Sequence, residues 1–142
     1  MEDTSGSDFF EIQTLYSRYC FAFDQNDGDS FVDCFARGGV FQVGETCFQD
    51  PEQLRAMAQH KGDRPRHHYA NLWVKSIDGQ VAHATAYFFL IALADGALAG
   101  YGNYEDELIR DAAGVWRFQH RRVIFQWQSE AYKARAAAVM KK

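Results

Sequence analysis

Two residues about forty positions apart could do chemistry together. Asp24 ends a long run in which aromatic residues recur at helical spacing, and His67 opens the strand-like stretch HHYANLWV. A carboxylate and an imidazole meeting at the mouth of an apolar pocket make a general acid/base site, the carboxylate holding the ring and stabilising its protonated form. Neighbouring strand residues point to opposite faces, so His67, Tyr69, Asn71 and Trp73 are expected on one face and His68, Ala70, Leu72 and Val74 on the other. The first set joins polar groups to large aromatic surfaces, as a pocket wall requires, and selects His67 over His68. The two histidines cannot share a metal from a regular strand, and no carboxylate lies at ligand spacing beside either, so no metal is expected. Asp24 has a competing reading as an Asx turn before Asn26, and Asp27 competes for its role. A carboxylate at a helix C-terminus opposes the dipole, which favours a specific reason for its presence. The competing reading of His67 is a strand-end histidine satisfied by solvent or backbone.

Other polar residues carry weaker chemistry. Tyr16 and Tyr19 lie on the inward stripe of the first helix, where Tyr19 is a candidate substrate contact and a core tyrosine with a satisfied hydroxyl is the alternative. His120 shares a strand face with Phe118 and Ile124 and reads as a core or interface residue. Arg121 and Arg122 straddle both faces and read as solvated or interfacial charges. Arg64, Arg66, His67 and His68 form a small basic group that could attract an acidic substrate.

The elements that must position these residues follow from periodicity. Asp8 and Glu11 make a D-x-x-E capping signature, after which Phe9, Ile12, Tyr16, Tyr19 and Phe23 predict a helix to about Gln25. NDGDS breaks it, and FVDCFA predicts a short second helix capped by Asp29 or Ser30 and stopped by Gly38 and Gly39. VFQVGETCF reads as a hairpin turning at Gly44 and Glu45, and Asp50 before Pro51 starts a third helix, PEQLRAMAQH. Beyond KGDRPR the period changes to two. Long strands are expected at 67–77, 80–94, 98–110 and 115–127, joined by turns too short for anything but antiparallel pairing. The tail at 128–142, rich in Ala and Lys, reads as a final helix. Helices first and a meander of long strands after define one α+β domain over 1–142, its helices covering the concave face of a twisted sheet and leaving an uncovered end as a cavity.

Composition narrows the function. The 142 residues are 47% hydrophobic and 15% aromatic, enough for one core with an aromatic surplus that suits a flat apolar ligand. A formal net charge of −4 argues against nucleic-acid binding, which needs a basic field. The acidic opening MEDTSGSD and the short apolar stretch AYFFLIALA point away from a leader or a membrane span, and three cysteines without a CxxC suit a reducing compartment, so a cytoplasmic protein is expected.

IQTLYSRYCFAFDQND followed by FVDCFARGGVF, then HHYANLWV and GYGNYEDELIRDAAGVWRFQHRRV, resemble the SnoaL-like members of the nuclear transport factor 2-like superfamily over about residues 8–127. The resemblance implies a cone of curved antiparallel sheet closed by three helices, a deep pocket, and a homodimer or homotrimer formed through the sheet. It implies a catalytic position for Asp24, separated from LYS by six residues, and for His67, four before Asn71, as in the dehydrochlorinase-like and dehydratase-like members. DELIR implies a pocket arginine at Arg110. Phe23 and Phe41 stand where scytalone-type dehydratases keep water-ordering tyrosines, and no second pocket histidine occurs among Phe88, Phe89 and Leu90. The expectation is therefore a lyase or isomerase of a small, apolar, cyclic substrate. It would use the Asp24/His67 dyad without a cofactor, with Tyr19, Phe23, Phe41, Tyr69, Asn71, Trp73, Phe88 and Arg110 around the substrate. The alternative is a ligand carrier or the small subunit of a ring-hydroxylating dioxygenase.

Overall fold

A computed structural model describes residues 6–59 and 64–140. The chain runs α1 (Gly6–Asp24), α2 (Gly28–Asp33), β1 (Phe35–Val43), β2 (Thr46–Phe48), α3 (Pro51–Ala58), β3 (Arg66–Asp78), β4 (Val81–Ile91), β5 (Leu98–Arg110), β6 (Trp116–Gln128) and α4 (Glu130–Met140). The six strands form one curved, unclosed sheet in the order β2-β1-β6-β5-β4-β3. The meander from β3 to β6 is antiparallel as its turns predict, while β1 joins the other side of β6 in parallel.

Local chemistry accounts for most boundaries. Asp50 caps α3 by accepting the Glu52 N–H, Gln53 reaches back to complete a capping box, and Pro51 fills a first-turn position that needs no donor. The helix ends at Ala58, one residue short of the expected Gln59, which is its C-cap, and His60 lies outside the described residues. α1 starts two residues before Asp8, so this aspartate is no cap; its carboxylate instead accepts from the Trp116 indole at 3.1 Å. α2 also starts early. Asp27 is its cap, taking hydrogen bonds from the Ser30 N–H and hydroxyl, and Gly38 and Gly39 lie within β1 rather than ending a helix. Gly39 is there for space, because a Cβ would lie 2.8 Å from the Phe118 carbonyl oxygen across the ladder.

Register slips curve the sheet, and some of them reassign its faces. In β3 the register slips between Ala70 and Trp73, with Asn71 at φ +57°, a conformation Asn tolerates better than most residues. Side-chain parity reverses there: His67 and Tyr69 point inward, but beyond the bulge Leu72 and Val74 pack on the core, and Trp73 is 62% exposed. Asn71 is also exposed. The expectation that 67, 69, 71 and 73 share a face thus holds for its first half only. A second slip between Val74 and Ser76 restores the parity, so Ile77 packs inward. In the β5–β6 pair a third slip faces Gln119 and His120, turning Arg121, Val123 and Phe125 inward and Ile124 out.

The concave face holds the core. Ile12, Leu15, Tyr16 and Tyr19 of α1 are buried against sheet residues such as Phe118 and Tyr104, in ring contacts of 5.5–6.3 Å. Along β4 the inward residues change from Ala82, Ala84 and Ala86 to Phe88 and Leu90, so bulk grows toward the end where the sheet opens. Among the described residues no helix is long and apolar enough to cross a membrane.

Candidate active site

The last turn of α1 and the second residue of β3 meet. Asp24 Oδ1 lies 2.6 Å from His67 Nδ1, and both carboxylate oxygens also accept the His67 backbone N–H at 3.0 and 3.1 Å. One carboxylate therefore fixes both the strand end and the ring. The side chains are 8% and 11% exposed. Phe23 packs on the imidazole with ring centroids 4.5 Å apart, and Tyr19 meets it edge-on at 6.1 Å. A carboxylate can only accept, so Nδ1 carries a proton and the lone pair of the neutral ring is on Nε2. Nε2 has no hydrogen-bond partner among the described residues. Asp27, the rival carboxylate, is committed to capping α2.

His67 lines a cavity of about 270 Å³ at the open end of the sheet. Tyr19, Phe23, Phe41 and Phe88 line it, as the sequence reading expects of a substrate wall. Four other expected contacts lie elsewhere. Tyr69 packs against Tyr16 and donates its hydroxyl to the Gln13 carbonyl, which places it under the middle of α1. Asn71 and Trp73 face outward beyond the bulge. Arg110 sits at the far end of β5, over the Trp116 ring at 4.6 Å and 3.5 Å from Asp8.

The structure adds two groups that sequence reasoning missed. The first is the fourth wall, where Tyr132, Arg135, Ala136 and Ala137 of α4 close the cavity together with Arg64 and Met57. Near-uniform small and charged residues give α4 no apolar stripe, so nothing in its pattern marks it as a wall. The second lies beneath the cavity floor. Arg121 is fully buried, binds Asp106 through Nε at 3.0 Å and Nη2 at 2.9 Å, and is enclosed by the rings of Tyr104, Phe118, Tyr19 and Tyr16 at 3.7–4.5 Å. The Tyr16 hydroxyl donates to the same carboxylate. Burial alone would discharge Arg121, but Asp106 outweighs it and holds the guanidinium well above its ordinary range. This corrects the reading of Arg121 as a solvated charge. The signal was present in β5, where Asp106 falls between the inward Tyr104 and Leu108 and calls for a buried cation.

Tyr104 lines the cavity, and its hydroxyl is buried without a hydrogen-bond partner among the described residues. Burial keeps this phenol and that of Tyr19 protonated by raising both far above the usual range. The buried thiols are similarly unreactive: burial pushes Cys20 up to about 12 and Cys34 up to about 11. Among the described residues no group of three or more His, Cys, Asp or Glu side chains is placed to hold a metal ion.

A curved, unclosed sheet with helices on its concave side and a cavity at its open end defines a cystatin-like fold of the nuclear transport factor 2-like class. Within that class the chain belongs to the SnoaL-like domain family, whose sequence pattern matches residues 7–122. Among solved structures it is similar to an Asp-to-Asn variant of a function-unknown protein from Mycobacterium tuberculosis, with 27% identity, TM-score 0.81 and coverage of 94% of this chain and 85% of that one. Two structures from Novosphingobium aromaticivorans also share the fold. One, described as nuclear transport factor 2-like with a cystatin-like fold, is 20% identical with TM-score 0.76, over 94% of this chain and 97% of that one. The other, a proposed scytalone dehydratase, is 15% identical with TM-score 0.75, over 92% and 91%. No curated protein matches the sequence.

Proposed function

We propose that this chain is a cofactor-independent lyase or isomerase that removes a proton from carbon in a small, apolar, cyclic substrate, with elimination, isomerisation or cyclisation following. The observation that carries this reading is the 2.6 Å contact of Asp24 with His67 Nδ1 on the wall of an apolar cavity. With Nδ1–H held by the carboxylate, Nε2 accepts the proton, and the charge that develops on the ring is balanced by Asp24 at contact distance. The protonated ring then returns the proton to a leaving group or to another carbon. Apolar walls exclude water and strengthen that balance. The fold shared with a proposed scytalone dehydratase supports the reaction class.

The test is proton exchange at the carbon beside the carbonyl of a panel of cyclic ketones, followed by NMR in D2O. His67→Gln is expected to lower the exchange rate by about 10² to 10⁴, and Asp24→Asn by on the order of 10². Full activity in both variants sinks the dyad. Ligand binding without exchange by the wild type favours the carrier reading instead.

The outer sheet face supports self-association as a dimer or trimer. Tyr101 stacks on Trp127 there at 5.9 Å, and Trp73, Tyr87 and Ile124 are exposed. Light scattering reads the mass directly.

A further inference from the structure

The cavity of this acidic protein has a basic rim. The chain's formal net charge is −4. Yet among the described residues that line the cavity there is no Asp or Glu, while Arg64 and Arg135 are both present. They come from remote parts of the sequence, the segment leading into β3 and the middle of α4. Arg64 is fixed in place: its Nη2 donates to the Met57 carbonyl at 2.9 Å, and its guanidinium lies 5.0 Å above the Phe23 ring, the same ring that packs on His67. Burial holds the Arg64 guanidinium below its ordinary range against the opposing fields of Tyr132 and Asp24, and the field of Arg135 adds a smaller push in the direction of burial. Asp24, the nearby carboxylate, is turned toward His67. Gln128 and Tyr132 add neutral polar groups to the lining, and Phe41, Phe88, Leu90 and Phe125 make the interior apolar. Two like charges beside an apolar hole fit an anion that enters with its apolar end first and leaves its charge at the rim.

We propose that the cavity takes an amphipathic ligand, a flat apolar body bearing a carboxylate, with the carboxylate at the rim between Arg64 and Arg135 and the body against His67. The inference rests on the cavity being the substrate site and adds the substrate's charge. Anchoring at the rim also fixes which carbon of the body reaches His67, so the two arginines are positioning residues.

The test uses 2-naphthoate and its neutral isostere 2-naphthamide, titrated against the full chain by calorimetry at pH 7 in low and high salt. The wild type is expected to bind the carboxylate about tenfold tighter than the amide, the ratio narrowing as salt screens the rim. Arg135→Gln, on an exposed helix position, lowers the ratio, and Arg64→Gln with Arg135→Gln brings it to about one, with amide affinity kept within about twofold as the control for folding. His67→Gln keeps the ratio although it abolishes proton exchange, so failure here and failure of the dyad appear in different measurements. Equal affinity for the two compounds in the wild type, a ratio that survives in the double variant, or binding of neither compound overturns the proposal.

Discussion

Two aspartates within the same concave face each hold a nitrogen base, one a guanidinium and the other an imidazole, and the two pairs differ in what they leave open. Asp106 and Arg121 are sealed in the core, with no exposed side-chain surface, a bidentate bond, a tyrosine hydroxyl on the carboxylate and aromatic rings around the guanidinium. Asp24 and His67 share one side-chain bond at the cavity wall, and the imidazole keeps a nitrogen without a partner among the described residues. Enclosure makes the first pair a structural fixture, since even Arg121 Nη1, which has no hydrogen-bond partner among the described residues, is shut away beside aromatic rings. The open nitrogen makes the second the candidate site. Partner chemistry alone does not separate the two roles; what separates them is whether any donor or acceptor is left facing space that a ligand can enter.

Breaking each pair should expose the difference. Arg121→Met leaves a carboxylate buried without its cation and should lower unfolding free energy by about 3–5 kcal/mol, read by urea denaturation. Replacing both partners, Asp106→Leu with Arg121→Met, should recover most of that loss, because the burial penalty leaves with the charges. Asp24→Asn and His67→Gln should each cost only about 1 kcal/mol, the scale of one hydrogen bond, while producing the large activity losses described above. Tyr104→Phe sharpens the contrast from the floor between them. It deletes a hydroxyl that has no partner among the described residues and keeps the ring stacked on Phe88 at 4.6 Å, so stability should stay within about 0.5 kcal/mol or rise.

The smallest effect belongs to a surface pair of the same chemistry. Arg18 first, and Arg117 with it, hold the Asp33 carboxyl below its ordinary range. A depressed folded value means that this contribution is present above about pH 4, the ordinary carboxylate value, and fades as pH falls toward the folded one. With the aspartate side chain 54% exposed, Asp33→Asn should cost at most about 1 kcal/mol and flatten the acid limb of a thermal-stability profile by that amount.

Much of this arrangement was legible in the sequence, and the failures share a cause. Helical spacing placed Asp24 at the end of α1, and turn residues such as Asp78 and Gly79 bounded the meander. The choice of His67 over His68 came from alternation at the start of a strand, before any irregularity intervened. Past Asn71 the same alternation misplaced Trp73, and past Phe118 it kept Ile124 on the face of Phe118, although the slip turns it outward. A bulge adds one residue that no periodicity announces, and every later side chain changes face. Arg110 failed differently, because a resemblance in local sequence carried no information on which end of the strand faces the cavity. α4 carried no amphipathic pattern, and its position against the cavity is a tertiary fact.

The paired bulges of β3 have a mutational consequence. They act as an insertion and its suppressor: the first shifts the side-chain frame at Asn71, the second restores it near Ser76, and only the segment between is read in the altered frame. Deleting one residue at the first bulge would remove the extra residue and leave Leu72 and Val74 inward and Trp73 outward in regular alternation, and deleting one at each would return the whole strand to a single frame. The His67 end would keep its orientation in both cases. The strand that carries the proposed base is thus insulated from length changes farther along it, and variation in that segment can be accepted without moving the site.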